Sequence, residues 1–568
     1  MAKEPKRLVK WFRRERSGKV YRYAWIGYNQ RNGNGTPTFV RETNISQLPP
    51  EQIEAIARTL KAGGKVDVPG SGAALAVPAS EVEFLGALAM GDVWTALAIC
   101  EGLGIREALG ETLSDEERDA VTAMLVDRVV NPRPHSKRAL CDSYPDSALA
   151  DLLESGPIPL RQWYRSLGAL WRVQERVEER LAEGATDGIF LYDITSSYFE
   201  GEHCPLAAFG YNRDGKKGKK QIVIGLLANS GGRPLALRVF DGNTRDDTTV
   251  LGWLERIRDQ FGARDLVFVG DRGMVTSSIR REIDQSDRER IEYVTALTRG
   301  EIMDRLDDAS HPLQLGLFDH RGLAEIEHGG QRHVLCFNPE KQGEDRATRD
   351  RLLAKTEEKL RMVERNVSLG RWKREKTIAA RLHRWLDRWN VGRFFRVDYG
   401  PGSFSVQRDE EKIREWERLD GCYVIVTTVP EDRMGTGEVR DRYKSLARVE
   451  QAFRTMKTTD EFIRPIRHWT ADNVRGHVFM CMLAYLVIWE ARRRFAGLLD
   501  RDPESRECEG DSLREIWEAL AAGVQLGTVR AGDRELRQLA PMDAYTRRLL
   551  AAAGCRIGPT EKERMRVA

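Results

Sequence analysis

Closely spaced cysteines are missing from this sequence. Its 568 residues include eight cysteines, and no two of them stand in a Cys-x-x-Cys pair. A zinc ribbon needs such pairs, and a disulfide framework is typical of short, cysteine-rich chains. We therefore expect neither kind of cross-link, and we expect a reduced protein of the cytoplasm.

Long apolar segments are missing too. The longest apolar run, residues 478–489, has 12 residues, which is too short to span a bilayer. The basic N-terminus has no apolar segment of the kind found in signal peptides. The sequence therefore predicts a protein without membrane partners.

A large net charge is the third absence. The 91 basic and 87 acidic residues leave a formal charge of only +4, which says little about partners. The distribution says more, because residues 1–22 hold nine Lys or Arg against two Glu. A second basic cluster consists of Lys216, Lys217, Lys219 and Lys220. Such clusters favour a polyanionic partner, although a solvated surface has the same composition.

A chain of this length cannot form one hydrophobic core, so several domains are expected. Changes in composition and periodicity suggest five segments. They are a basic arm with a small β element and a linker (1–80), a mainly helical region (81–184), an α/β core (185–300 plus 421–495), an insertion (301–420) and a C-terminal helical tail (496–568). Arginines stud the helical region 81–184, for which we favour DNA binding over an ordinary helical bundle.

Four tryptophans lie among the many basic residues of the insertion. They are Trp372, Trp385, Trp389 and Trp416. Such side chains can stack on DNA bases. Tryptophans are more often part of a hydrophobic core, and we favour that interpretation for most of these.

An acidic residue interrupts the apolar run that begins at Ile189. Asp193 follows four apolar or aromatic residues and precedes Thr195, in a stretch typical of a buried strand. A buried carboxylate needs a partner, a proton or a metal ion. The alternative is an Asp at a strand end that its own Thr and Ser neighbours cap.

From Asp193 onwards the pattern is strand, strand, strand, helix, strand, helix, strand. The strands are predicted at residues 189–199, 221–228, 234–240, 266–269 and 291–297. This order resembles the ribonuclease H-like α/β fold of the retroviral integrase superfamily, which has a mixed sheet. Because the first and fourth strands are neighbours in that fold, Asp193 and Asp271 are expected to face each other.

A third carboxylate lies on a predicted helix over residues 442–457. Tyr443, Glu450 and Lys457 are spaced seven residues apart, so they share a polar stripe with about 20° of drift per step. An apolar stripe runs beside it, made of Leu446, Val449, Phe453 and Met456. A polar stripe next to a buried face can offer one metal ligand and several phosphate donors.

Together these motifs resemble a DDE transposase of a bacterial insertion sequence, in the branch with a Tyr-Arg-Glu-Lys signature. The matching residues are Asp193 in Leu-Tyr-Asp-Ile-Thr, Asp271 in Val-Gly-Asp-Arg-Gly, and the seven-residue series Tyr443, Glu450 and Lys457. The resemblance covers about residues 185–495, with a long insertion before the Glu.

The sequence departs from this branch at the signature Arg. The position three residues after Tyr443 is Leu446. Arg448 lies about 160° from Glu450 around a helix, whereas Arg454 lies about 40° away and one turn along. Arg454 is therefore the better substitute.

The resemblance implies two Mg²⁺ ions, for which Mn²⁺ is expected to substitute. Asp193 would bridge both ions, while Asp271 and Glu450 would each complete one, since hard cations prefer carboxylate oxygens. Hydrolysis at each end of the element would free a 3′-hydroxyl, which then attacks the opposite strand, giving a hairpin, and later target DNA. DNA contacts are expected from Tyr443, Arg454, Lys457, Arg272 and the basic cluster Lys216, Lys217, Lys219 and Lys220.

The expected partners are the terminal inverted repeats of the element and the target DNA. Because two ends are cut in concert, a homodimer on DNA, located with the bacterial nucleoid, is implied. A structure-selective nuclease of the same fold and a non-catalytic DNA-binding protein derived from a transposase are the alternatives. An aspartyl-phosphate phosphatase is rejected, because it needs a second Asp where this sequence has Thr195.

Overall fold

The structure of the chain is a computed structural model. It describes residues 7–16, 19–31, 37–46, 48, 50–61, 65–68, 75–78, 82–201, 203–211, 213–216, 218–261, 266–285, 291–318, 323–389, 391–458, 463, 466–499, 512–531 and 534–555.

The elements before residue 185 begin with strands and continue as helices. They are β1 (Arg7–Arg16), β2 (Lys19–Arg31), β3 (Pro37–Asn44), α1 (Pro50–Lys61), β4 (Lys65–Val68), β5 (Leu75–Pro78), β6 (Val82–Ala89), α2 (Gly91–Gly102), α3 (Ile105–Gly110), α4 (Asp115–Val130), α5 (Lys137–Ser143), α6 (Ala148–Leu153), α7 (Leu160–Arg172) and α8 (Gln174–Ala182).

The middle of the chain mixes strands and helices. Its elements are β7 (Ile189–Tyr198), β8 (Gln221–Asn229), β9 (Pro234–Phe240), α9 (Val250–Phe261), β10 (Leu266–Gly270), α10 (Ser277–Gln285), β11 (Ile291–Ala296), α11 (Arg299–Asp307), β12 (Ala324–His328), β13 (Gln331–Phe337), α12 (Pro339–Ser368), α13 (Glu375–Arg388), β14 (Phe395–Gly400), β15 (Ser403–Arg408), α14 (Glu410–Glu417) and β16 (Cys422–Thr427).

The last part of the chain is mainly helical. Its elements are α15 (Thr436–Lys444), α16 (Leu446–Thr458), α17 (Ala471–Arg494), α18 (Leu513–Gly523), β17 (Gln525–Ala531), β18 (Arg534–Leu539) and α19 (Ala544–Ala552).

The chain divides into two compact units. The first unit contains the described residues within 1–177 and 479–568, and the second contains those within 178–458 and 463–478. Both ends of the chain therefore contribute to the first unit, and the middle of the chain forms the second.

The second unit is built on an eight-stranded mixed sheet in the order β12-β13-β16-β11-β10-β7-β8-β9. Strand β10 pairs in parallel with both β7 and β11, whereas β7 and β8 are antiparallel. Strand β8 is buried along nearly its whole length, since its continuous apolar run suits a strand covered on both faces. The prediction that the first and fourth strands are neighbours is confirmed by the pairing of β7 with β10.

The predicted insertion 301–420 begins too early. Strands β12 and β13 belong to the eight-stranded sheet, because residues 332–337 of β13 pair with residues 422–427 of β16. The segment that lies outside the sheet runs from α12 to α14. It has hydrophobic clusters of its own, against which the four tryptophans considered above pack, namely Trp372, Trp385, Trp389 and Trp416.

The first unit contains two three-stranded sheets as well as helices. Strands β1, β2 and β3 form one sheet, and β6, β17 and β18 form the other. The tail 496–568 is therefore not all helical, and the region 81–184 begins with a strand. The prediction of a helical tail was wrong, because β17 pairs with β6 across hundreds of residues, a contact that local periodicity does not reveal. The region 81–184 is mainly helical, as predicted, since α2 to α8 follow β6.

Helix α17 explains the longest apolar run of the sequence. Among the helices of the described residues, it is long and apolar enough to cross a membrane. Of its most apolar window, 89% is buried inside the protein, which is also typical of a core helix in a soluble protein. The helix alone is therefore weak evidence for a membrane span.

Candidate active site

Two of the three predicted carboxylates lie on neighbouring strands. Tyr192 of β7 is the register partner of Gly270 of β10, so Asp193 and Asp271 each follow one member of a parallel pair. The chain turns directly after β10, where the Asp271 carbonyl accepts hydrogen bonds from the Met274 and Val275 amides. Asp193 is half-buried and Asp271 is exposed.

The third carboxylate comes from helix α16, which packs against β7. The predicted apolar stripe is buried there, as Leu446, Val449, Phe453 and Met456 show. Glu450 lies on the exposed side of the same helix. Burial, joined by the charges of Glu450 and Asp271, raises the pKa of Asp193 to about 7. Glu450 and Asp271 are therefore close enough to Asp193 to act on it electrostatically.

Tyr443 is directed at the second carboxylate. Its hydroxyl donates a hydrogen bond of 3.1 Å to Asp271 Oδ1. Burial, followed by the neighbouring charge of Asp271, raises the pKa of Tyr443, so the hydroxyl keeps its proton. Tyr443 thus orients a carboxylate in this structure.

The predicted single helix 442–457 is divided in two. Helix α15 ends at Lys444 and α16 begins at Leu446. The Ser445 hydroxyl donates to the Arg442 carbonyl, a local bond that competes with regular helix geometry. The predicted stripes consequently apply only from Leu446 onwards. Tyr443 lies on α15, so its alignment with Glu450 of α16 does not follow from the geometry of one helix.

The Lys457 side chain is largely buried, and its ammonium group binds oxygen atoms of the protein itself. Its ammonium group lies 2.6 Å from Thr195 Oγ1, 2.6 Å from the Ser196 carbonyl and 3.1 Å from Asp214 Oδ1. Its side chain is only 11% exposed. This conformation therefore does not present Lys457 to a DNA phosphate, and the residue instead ties α16 to β7 and to the loop that follows it.

The two candidate arginines differ as helical geometry predicts. Arg448 donates a hydrogen bond to the Ser230 carbonyl, and its side chain lies against Gly232. It therefore packs on the turn between β8 and β9. Arg454 is exposed on α16, the helix of Glu450. Arg272, which follows Asp271, is exposed as well.

The basic cluster lies in the loop between β7 and β8. Lys216 lies 5.7 Å from the centre of the Tyr198 ring, and Lys219 is 3.4 Å from Glu200. Lys220 is half-buried, and Lys217 lies outside the described residues. The same loop exposes Phe209 at 65% and Tyr211 at 83%, which sequence reasoning had not singled out.

Asp214 is the site residue that the sequence analysis missed. Its carboxylate accepts from Lys457 and also from the Tyr198 amide at 3.2 Å. The available signal was a single acid inside a run of basic residues. A lone acid surrounded by lysines is a candidate internal partner, because desolvated cations need one.

The donor set suits a divalent cation that prefers oxygen ligands. A cation would offset the charge repulsion and the burial that raise the pKa of Asp193. In the described part of the chain, however, no three His, Cys, Asp or Glu side chains come close enough to hold a metal ion. The chemistry of the residues fits the ions, while this conformation does not close a three-carboxylate cluster.

A comparison with known protein families identifies a related family. Residues 184–487 match the family described as Transposase DDE domain. The match spans more than half of the chain and includes all three carboxylates, the whole segment from α12 to α14 and most of α17. No curated protein matches the chain.

Proposed function

Because the chain belongs to the family of transposases with a DDE domain, we propose that it binds the ends of its own insertion sequence, cleaves them and joins the freed 3′-hydroxyl ends to target DNA. The family acts on DNA with divalent metal ions. The observation that carries the finer proposal is the parallel pairing of β7 with β10, together with the effect of Glu450 on Asp193.

Asp193, Asp271 and Glu450 are the proposed metal ligands. They would hold two Mg²⁺ ions, or Mn²⁺ in their place, and the bound ions would activate the nucleophile and offset charge on the leaving oxygen. Tyr443 supports this arrangement by holding Asp271 with its hydroxyl. Lys457 supports it by fixing α16 against the strand of Asp193.

DNA is proposed to pass along the loop between β7 and β8. Exposed Lys216 and Lys219 offer phosphate contacts there, and exposed Phe209 and Tyr211 offer apolar surface for sugars or unstacked bases. Arg272 and Arg454, both exposed near the carboxylates along the chain, are further phosphate contacts. Two copies on a pair of ends, and a hairpin intermediate, complete the proposal.

The test uses the full-length protein and the genomic DNA that flanks its gene. Labelled duplexes with the left and right flanks are incubated with a plasmid in Mg²⁺, in Mn²⁺ or in EDTA. We expect cleavage at the flank boundary and joined products that depend on metal. Asp193→Asn, Asp271→Asn and Glu450→Gln should each abolish both products. Glu438→Gln, a carboxylate change on α15 at an exposed ion pair, is the matched control.

The outcomes separate the alternatives. Metal-dependent nicking without joining would identify a nuclease of the same fold. Selective binding of the flanks without nicking in any metal would identify a non-catalytic DNA-binding protein. Cleavage that survives all three carboxylate substitutions would overturn the assigned site.

A further inference from the structure

The N-terminal sheet of the first unit has two faces of different character. Helix α1 covers one face, where Ala24, Ile45 and Ile53 are buried together. Side chains alternate between faces along a strand, so Phe12 and Trp25 lie on the other face. The covered face accounts for folding, and the open face needs a separate explanation.

Among the side chains of the open face, five contact one another as rings and cations, and they are Lys10, Phe12, Trp25, Phe39 and Arg41. The rings of Phe12 and Phe39 have centroids 5.8 Å apart. The Arg41 guanidinium lies 4.2 Å from the Phe12 ring centre and 5.6 Å from that of Trp25. Lys10 lies 5.9 Å from the Phe12 ring and 5.5 Å from the Phe39 ring. We call these five residues the aromatic–basic face.

The two cations of this face are available to an anionic partner. Both side chains are exposed, and within the described residues neither forms an ion pair with a carboxylate. A guanidinium that stacks on a ring still directs its N–H groups outwards, where they can bind a phosphate or the edge of guanine. Glu42, the acid next to Arg41, forms an ion pair with Arg7 at 2.8 Å.

The dimensions fit duplex DNA. Neighbouring strands are about 4.8 Å apart, so the backbones of three strands span about 10 Å. The major groove of B-DNA is about 12 Å wide and admits β structure as well as helices. Aromatic rings can contact thymine methyl groups and sugars, while the cations contact phosphates and guanine.

We propose that the aromatic–basic face of β1–β3 docks in the major groove of duplex DNA at the ends of the element. This inference rests on the proposed function, because it names the surface with which the chain recognises those ends. It assigns recognition to a sheet in the basic N-terminal arm, whereas the sequence pattern favoured that basic start together with the arginine-rich helices of 81–184.

The test measures binding of the full-length protein to a labelled flank duplex by fluorescence anisotropy at several salt concentrations. The variant is Lys10→Gln with Arg41→Gln, since glutamine keeps an extended polar side chain over the rings and removes the charge. Arg13→Gln is the matched control, because Arg13 is exposed on the same strand but on the opposite face. Circular dichroism and the thermal midpoint report whether each variant folds.

We expect the double variant to bind the flank duplex on the order of tenfold to a hundredfold more weakly, and its salt slope to fall by about 2, one unit for each lost phosphate contact. The control should bind within about twofold of the wild type. Lys10→Arg alone should keep most of the affinity, because it keeps the charge. Methylation of guanine N7, which lies in the major groove, should interfere with wild-type binding.

Several results would overturn the inference without touching the proposed function. These are wild-type affinity in the folded double variant, an equal loss in the Arg13→Gln control, or insensitivity to guanine N7 methylation, in a protein that cuts and joins flank DNA. If the wild-type protein binds the flanks through this face but joins no DNA in any metal, the proposed function fails and the docking surface stands.

Discussion

Each unit of the protein contains a largely buried lysine. The two lysines differ in whether the surrounding groups stabilise the charged ammonium. Lys457 in the second unit has three oxygen acceptors within hydrogen-bond distance. Lys137 in the first unit is 8% exposed, and no described side chain or carbonyl accepts a hydrogen bond from it. Burial, with the charge of Arg128 in second place, lowers the pKa of Lys137 to about 7.

The difference shows that burial alone does not indicate how a charged group is used. Around Lys457 the chain provides acceptors from β7 and from the loop that carries Asp214, so the ammonium is a fixed structural cation. Around Lys137 burial and the charge of Arg128 outweigh the neighbouring charges of Cys481 and Asp127, so the ammonium loses its proton readily. Four predictions test this contrast. The first concerns Asp193, which lies on β7, the strand that Lys457 contacts through Thr195 and Ser196.

The largest effect is expected for Asp193→Asn. Asparagine cannot replace an anionic ligand to a divalent ion, so cleavage and joining should fall by at least about a thousandfold. DNA binding should change by less than about twofold, because the phosphate contacts lie elsewhere. The measurements are product formation on flank DNA and anisotropy of the same duplex. Loss of binding in step with activity would indicate a folding role for Asp193 instead.

A smaller effect is expected for Lys457→Met. Methionine leaves the oxygens of Thr195, Ser196 and Asp214 without their cation, and removing the cation partner of the buried Asp214 carboxylate costs about 3 kcal/mol. Joining should fall on the order of a hundredfold through misplacement of α16, and the double variant Lys457→Met with Asp214→Asn should recover part of the stability. Lys457→Met that lowers DNA affinity alone, with unchanged stability, would restore the phosphate-contact role that the sequence suggested.

Exposed cations on the same helix should matter less. Arg454→Ala is expected to weaken end binding or joining on the order of tenfold to a hundredfold, since a charge-assisted phosphate contact contributes about 1.5–3 kcal/mol. Arg448→Ala is the matched control, because Arg448 bonds to the Ser230 carbonyl at the β8–β9 turn. Both are compared by anisotropy and by single-turnover joining. A larger loss for Arg448→Ala would refute the helix-face argument.

The smallest effect is a dependence of stability on pH. Lys137 has an ordinary pKa of 10.5 and a folded pKa of about 7. Between these values the unfolded chain binds more protons than the folded one, so stability rises with pH and the burial penalty is complete below pH 7. From pH 7 to 9 this group alone should add about 2 kcal/mol to the free energy of unfolding.

Lys137→Met tests that dependence. The variant should be more stable than the wild type at pH 7, and the part of the pH 7–9 rise that belongs to Lys137 should disappear in urea titrations. The exposed lysine change Lys355→Met is the control and should keep the rise. An unchanged rise in Lys137→Met would show that other groups set the pH dependence.

Local patterns in the sequence predicted the catalytic sheet because its strands follow one another along the chain. The position of Asp193 beside Asp271 followed from strand order, and the buried stripe of α16 followed from three- and four-residue spacing. The first inference joins residues 78 positions apart, and it used the fold that the strand order resembles. The second uses residues of one helix, whose burial is directly visible in the periodicity of the sequence.

The remaining features depend on partners that sequence spacing does not reveal. The role of Asp214 is seen only in the structure, where Lys457, 243 residues away in the sequence, donates a hydrogen bond to its carboxylate. At the break, the Ser445 hydroxyl bonds to a main-chain carbonyl, and helical periodicity does not reveal such a local competitor. Strands β12 and β13 looked like part of an insertion because their partner β16 lies beyond α12–α14.

The pairing of β6 with β17 has a consequence for protein synthesis. The ion pair between Glu83 and Arg530 joins these strands across 447 residues. At about 5–20 residues per second, a ribosome needs roughly 20–90 s to travel that far. Throughout this time β6 has an unpaired edge, while the whole second unit emerges. A messenger RNA truncated before the codons of β17 would therefore yield the eight-stranded sheet attached to an incomplete first unit.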